Sequence, residues 1–263
     1  MKFLLFLFML LCADVKAQNP GPILSAMGSG GTAVSGIWSL QQNPAGIARL
    51  RRAHLTMAYE QRFLDEELST QTALFAAPFS QGVIGASFDS YGFSEYKEIQ
   101  TGLFYAKGFG DSFTMAVGAR FHQLNIKNYG SAKAYTVELG FQLKLTDNLT
   151  IASHLSNPNR SRYTIETDPG LPVKLSFGAS YIISDRILMS LDVRKVLTDP
   201  LDGMAGIQYN LVDWFSLRGG VSANPFKQYT GFGINHKRIH VDVAVTSHQN
   251  LGYTPQIALG YEF

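Results

Sequence analysis

Tyr135-Thr136-Val137-Glu138-Leu139-Gly140-Phe141-Gln142-Leu143-Lys144-Leu145 alternates without a break: each odd-numbered residue is apolar, each even-numbered one polar or glycine. Successive side chains of a strand point to opposite faces, so the stretch is a strand with one greasy and one polar side. The same period holds upstream, where Phe113, Met115, Val117, Ala119 and Phe121 interleave with Thr114, Ala116, Gly118, Arg120 and His122. It holds downstream too, with Ile239, Val241, Val243 and Val245 set against His240, Asp242, Ala244 and Thr246.

Extended along the chain, this reading predicts fourteen strands. They fall near 53–60, 70–79, 82–91, 98–109, 112–125, 132–145, 148–156, 172–183, 186–195, 202–211, 214–223, 228–235, 238–247 and 253–263. Tight links at 80–81, 110–111, 146–147, 184–185, 212–213 and 236–237 alternate with longer ones at 61–69, 92–97, 126–131, 157–171, 196–201, 224–227 and 248–252. An even meander with short turns on one rim and longer loops on the other describes a transmembrane up-and-down antiparallel β-barrel, apolar outside and polar inside. A secreted soluble β-sandwich or β-helix would also alternate, but it has no reason to alternate its turn lengths. Its surface would also carry more charge than the 16% found here. Tyr59, Tyr91, Tyr105, Tyr181, Tyr209, Trp214, Tyr229, Tyr253 and Tyr261 fall near strand ends, where interfacial aromatic girdles would lie.

The 263 residues carry a formal charge of +2, which makes no electrostatic case for nucleic acid. The single cysteine, Cys12, can form no internal disulfide. It lies in a leader-like segment: Lys2, an apolar core at 3–11, then Val15-Lys16-Ala17. That is the pattern of a secretory signal peptide, cleaved after Ala17, with a core too short to span a bilayer. The last predicted strand ends Tyr261-Glu262-Phe263, with Ile257 and Leu259 in phase. A terminal aromatic on such a strand resembles the signal read by the outer-membrane barrel assembly machinery. Together these features predict a multi-pass β-barrel in the cell outer membrane, in contact with its lipid bilayer.

Residues 18–52 read differently from the barrel at 53–263. Ala26-Met27-Gly28-Ser29-Gly30-Gly31-Thr32-Ala33 is followed by Ile37-Trp38-Ser39-Leu40 and by the turn Asn43-Pro44-Ala45-Gly46. Pro44 restricts Asn43 to extended conformations, so the turn is sharply constrained. The arrangement A-M-G-x-G-G-x-A-V, then Trp38, then Asn43-Pro44-Ala45-Gly46, ahead of a fourteen-stranded barrel, resembles the FadL/PorV superfamily of outer-membrane proteins. This group includes long-chain fatty-acid transporters and the PorV and PorQ subunits of type IX secretion in Bacteroidota. The resemblance implies that residues 18–52 enter the barrel as a plug or hatch, with the Asn43–Gly46 turn near the wall.

Alternation also predicts the lumen-facing polar residues: Arg120, His122, Glu138, Lys144, His154, Lys174, Asp192, Arg194, Arg218, His240, Asp242 and Glu262. Both signs are present, so ion pairs bridge the lumen. His240 and Asp242 share a face, which permits a His–carboxylate pair, but no nucleophile accompanies them. The six histidines are scattered over the chain, and no metal or other cofactor is expected. Gly28, Gly30 and Gly31 do not open a helix inside a βαβ unit, so they are no dinucleotide fingerprint. The expected role is non-enzymatic. Two readings stand: a plugged conduit for a small hydrophobic molecule, or an accessory subunit that binds other envelope proteins in type IX secretion.

Overall fold

In the computed structural model, which describes residues 19–164 and 170–263, all fourteen strands hydrogen-bond to their sequence neighbours and close into one barrel. They are β1 (His54–Gln61), β2 (Ser69–Phe79), β3 (Gly82–Gly92), β4 (Tyr96–Phe109), β5 (Phe113–Ile126), β6 (Gly130–Lys144) and β7 (Leu149–Ser156). The second half comprises β8 (Lys174–Ser184), β9 (Ile187–Val196), β10 (Asp202–Val212), β11 (Phe215–Ala223), β12 (Phe226–His236), β13 (Ile239–His248) and β14 (Gly252–Glu262). Each starts and ends within two residues of its expected position. The leader expected at 1–17 and the middle of the 157–171 loop lie outside the described residues.

β14 closes the ring on β1, with Leu55 opposite Tyr261 and Met57 opposite Leu259. Phe263 continues the pairing, its N–H donating to the Ala53 carbonyl at 2.9 Å. Every strand pair is antiparallel and the barrel has no free edge, so no ladder is left to template aggregation.

Turn lengths depart from expectation on one rim. The tight links are tight, but the opposite links at 93–95, 127–129 and 249–251 are equally short. The strands simply run further, because residues such as Asn128 (φ 66°) and Gly130 (φ 97°) reverse the chain at once. The links at 62–68, carrying two single 3₁₀ turns, at 157–173 and, at five residues, 197–201 remain longer. Among the described residues no helix is long and apolar enough to cross a membrane.

Burial follows the period-two pattern around the whole ring. On β3, Ile84 and Phe88 face out while Ser87 and Asp89 are buried; on β4, Leu103 is 64% exposed while Gln100 and Phe104 are buried. A wall with its aliphatic and aromatic side chains outside and its carboxylates inside suits hydrocarbon rather than water. Two expected girdle residues belong elsewhere: Tyr91 and Tyr229 are 3% and 8% exposed and point inward. The Tyr91 ring lies under the Arg62 guanidinium at 4.9 Å, and the Tyr229 hydroxyl is 3.1 Å from the Ser222 hydroxyl. The other seven remain on the outer face.

Leu103, central on the longest outer stretch of β4, tests the orientation. Leu103→Arg is expected to destabilise the barrel by about 2–4 kcal/mol in lipid vesicles, the cost of a charge near the bilayer midplane. Denaturant unfolding from vesicles measures it; a change within about 0.5 kcal/mol, normal for a water-facing site, would contradict the lipid-facing assignment.

Candidate functional site

The interior is filled by the chain that precedes β1. Asn19 starts it, its side-chain oxygen accepting the Gly21 N–H at 2.7 Å and steering Pro20 and Pro22 into α1 (Gly21–Ala26). This α-helix is short because Gly28 follows at φ 81°, a conformation in which an L side chain is strained. Leu24 and Met27 are buried against the wall. Two 3₁₀ turns follow, Ile37–Gln41 and Pro44–Ile47, with Trp38, Leu40 and Ile47 in the apolar cluster.

Asn43, Pro44, Ala45 and Gly46 are all buried, and Asn43 is fully enclosed. Extended backbone at Asn43 (φ −148°, ψ 101°) is what the following proline demands, and it places the side-chain oxygen 3.1 Å from the Ala45 N–H as an N-cap. The amide nitrogen does more. It donates to the Thr32 carbonyl at 2.8 Å and to two carbonyls of the wall, Phe141 at 3.1 Å and Ser153 at 3.4 Å. Gly140 makes room for this approach, since a Cβ there would meet the Asn43 side-chain oxygen.

Further ties hold the segment from other sides. On β9, Asp192 accepts the N–H groups of Gly31 and Thr32, each at 2.8 Å. Arg194, from the same strand, donates to the Ser29 carbonyl at 2.9 Å and to the Gln42 side chain at 2.8 Å. On β3, Asp89 accepts from Gln41 at 2.9 Å through both carboxylate oxygens and from Thr72 at 2.7 Å. Across β10 and β11, Gly28 meets bare main chain: a Cβ on it would lie 2.6 Å from the Ala205 carbonyl oxygen and 2.7 Å from that of Val221. Gly206 and Gly220 return the fit, their own Cβ positions being occupied by Met27 and Gly28.

The expected lumen residues sort into groups. Arg120 on β5 is the hub: its guanidinium donates to Glu138 at 3.2 Å, to the Leu40 carbonyl at 2.6 Å, and to Gln41 and Ser87 at 3.2 Å each. Its outer face covers the Phe104 ring at 4.9 Å. Glu138 also accepts the Ser156 hydroxyl at 3.0 Å and lies 2.7 Å from the His154 ring nitrogen, so the buried Arg120–Glu138 pair is met by further polar groups. His122 is buried too, its ring bonded to the Thr136 hydroxyl at 2.9 Å. Arg218 pairs with Asp242 at 2.7 Å.

Two of the expected lumen residues take other partners. His240 does not hydrogen-bond Asp242; its ring nitrogen lies 2.8 Å from Asn235, because Arg218 already occupies the carboxylate. Lys144 has the inward register but sits at the tight-turn rim, its amine 2.7 Å from Asp147. That amine holds the exposed Asp147 carboxyl below the usual carboxylate range. Tyr261 and Phe263 are outward and stack edge to face at 5.1 Å. Asp89 and Gln41 are not singled out by the sequence. Asp89 carried a usable signal, since Phe88 outside puts Asp89 inside.

Between the segment and the longer-loop rim lies a vestibule of about 700 Å³. Its floor includes Ser25, Ser29, Gln41 and Gln42; its walls combine Phe63, Leu68, Tyr91, Val196 and Leu251 with Arg62, His154, Lys174 and Arg194. The volume is that of a small-molecule site, and the mixture of apolar surface and a few polar anchors is what orients an amphipathic guest. No cluster of His, Cys, Asp or Glu able to hold a metal occurs among the described residues.

No protein-family profile matches the sequence, and no curated protein matches it. Solved structures match in fold. The toluene transporter TbuX of Ralstonia pickettii superposes with a TM-score of 0.69 at 14% identity, over 94% of this chain and 99% of that one. The toluene transporter TodX of Pseudomonas putida gives 0.70 at 11% identity, over 92% and 97%. A FadL homologue of Pseudomonas aeruginosa gives 0.69 at 11% identity, over 92% and 98%.

Proposed function

We propose that the chain is a non-enzymatic conduit of the outer membrane for small hydrophobic or amphipathic molecules, closed in this conformation by a plug formed of residues 19–52. The observation that carries this reading is the vestibule of about 700 Å³ whose floor is the N-terminal segment itself. A guest entering from the longer-loop rim comes to rest on Gln41, Gln42 and Ser29, the residues that Asp89, Arg120 and Arg194 hold in place. Displacing those ties would connect the vestibule with the opposite rim. The likeness in fold to two toluene transporters supports a cargo of that hydrophobic class. A leader removed at Ala17 and a closing strand read by the assembly machinery through Tyr261 and Phe263 complete the proposal. The N-terminal motif also resembles that of accessory subunits of type IX secretion, and one experiment separates the two readings.

The test is uptake of radiolabelled toluene by cells whose outer membrane carries the protein, against the same cells without it. Uptake severalfold faster is expected. Equal uptake, with a stoichiometric protein partner co-purifying from that membrane, would replace the conduit with the subunit reading.

A further inference from the structure

The outer face of the barrel is not evenly convex. An apolar groove of about 930 Å³ crosses the lipid-facing wall from β5 to β12, along two adjacent hydrogen-bonded rows. One row runs Phe141, Ser153, Phe177, Val193 and Gly203 through consecutive strand pairs. The next places Ala179 beside Leu191 and Leu191 beside Ala205. Large outward side chains thus stand next to small ones, and the wall is hollow where the small ones lie. Phe177 and Leu191 are 55% and 57% exposed, which puts the groove outside the barrel rather than in the lumen.

The plug meets the inner side of the same wall. The plug's Asn43 amide holds the carbonyls of Phe141 and Ser153, and both residues line the groove. Gly28 packs directly on the carbonyls of Ala205 and Val221, which line it too. Asp192, between Leu191 and Val193, turns its carboxylate inward to the Gly31 and Thr32 amides. The plug thus grips, from the inside, the main chain of residues that line the groove outside.

We infer that this groove binds one acyl chain of a membrane phospholipid, and that its occupancy is linked to the seating of the plug. The inference rests on the membrane-spanning wall and not on any cargo of the lumen. A bilayer offers this surface hydrocarbon alone. An unfilled hollow forfeits dispersion contacts along its whole length, so an ordered chain is favoured there over the flat neighbouring wall. The volume falls in the range of sites that hold a discrete ligand, about 300–1,000 Å³. Because groove and plug share one stretch of main chain, a ligand that prefers the wall as the seated plug holds it must favour the seated plug, and reciprocally.

The experiment uses the full protein taken from its membrane in mild detergent and incubated with palmitoyl-oleoyl phosphatidylethanolamine. Native mass spectrometry is expected to show a single phospholipid adduct. Ala179→Phe with Ala205→Phe fills the groove from the lipid side and should lower the adduct at least tenfold, whereas Leu103→Phe, outside the groove, should leave it intact. Should the double variant fail to give the heat-sensitive electrophoretic shift of a folded barrel, Ala179→Leu alone carries the same test. The linkage is read by hydrogen exchange: added phospholipid should slow the Gly31 and Thr32 amides severalfold in the parent and not in the filled variant. An adduct that survives filling, no adduct at all, exchange indifferent to lipid, or a dimer that filling dissociates would each overturn the inference.

Discussion

Asn43→Ala is expected to turn a closed barrel into one that conducts ions. The side chain is fully buried and serves four partners, the Thr32, Phe141 and Ser153 carbonyls and the Ala45 N–H. Truncation removes an N-cap worth about 1 kcal/mol. It also strands buried main-chain groups at about 1–3 kcal/mol. A combined loss of about 2–4 kcal/mol in plug seating shifts the open fraction by more than tenfold, since about 1.4 kcal/mol is a factor of ten. Single-channel recording in planar bilayers reads this as frequent openings against rare ones in the parent. Asn43→Asp separates the two roles: it keeps the acceptor for Ala45 but cannot donate to the wall. Conductance as high as in Asn43→Ala would assign the seating to the wall contacts; parental conductance would assign it to the cap. Parental conductance in both variants would show that Asp192 and Arg120 suffice to seat the plug.

Arg120→Met is expected to produce the largest loss of stability of any single lumen substitution. Arg120 and Glu138 side chains are each 3% exposed, and the guanidinium also holds the Leu40 carbonyl and the Gln41 side chain of the plug. Removing one partner of a buried pair leaves an uncompensated charge and costs about 3–5 kcal/mol. Glu138→Gln in the same chain removes that charge, so the double variant should cost less than the sum of the two single ones by at least about 1 kcal/mol. Denaturant unfolding from vesicles gives all the values. Additive losses would mean that Arg120 acts on the plug alone. The contrast is Lys144→Met at the rim, where the exposed pair with Asp147 should leave stability unchanged.

Strand number, strand ends and facing were legible because all three depend on a local rule, the two-residue period. Ile84 outside and Asp89 inside follow from position alone. The lengths of the outer links were less legible, since the chain can continue pairing through residues whose composition reads as loop, as around Tyr96 and Gly130. Tyr91 and Tyr229 were misplaced for a different reason. Nearness to a strand end suggests a girdle, but parity decides the face, and both have inward parity.

What the sequence determined by itself is the barrel and the chemical difference between its two faces, because side-chain direction in a strand needs no knowledge of partners. What only the tertiary structure decided is which lumen residue meets which. His240 is two residues from Asp242 yet bonds Asn235, while Arg218 reaches Asp242 across the sheet. Gly28 meets Gly206 and Gly220. Asn43 finds carbonyls about a hundred residues away, at Phe141 and Ser153. Such contacts depend on how far the ring is sheared and how deep the plug descends, and these are set by the closure of fourteen strands together rather than by any one of them.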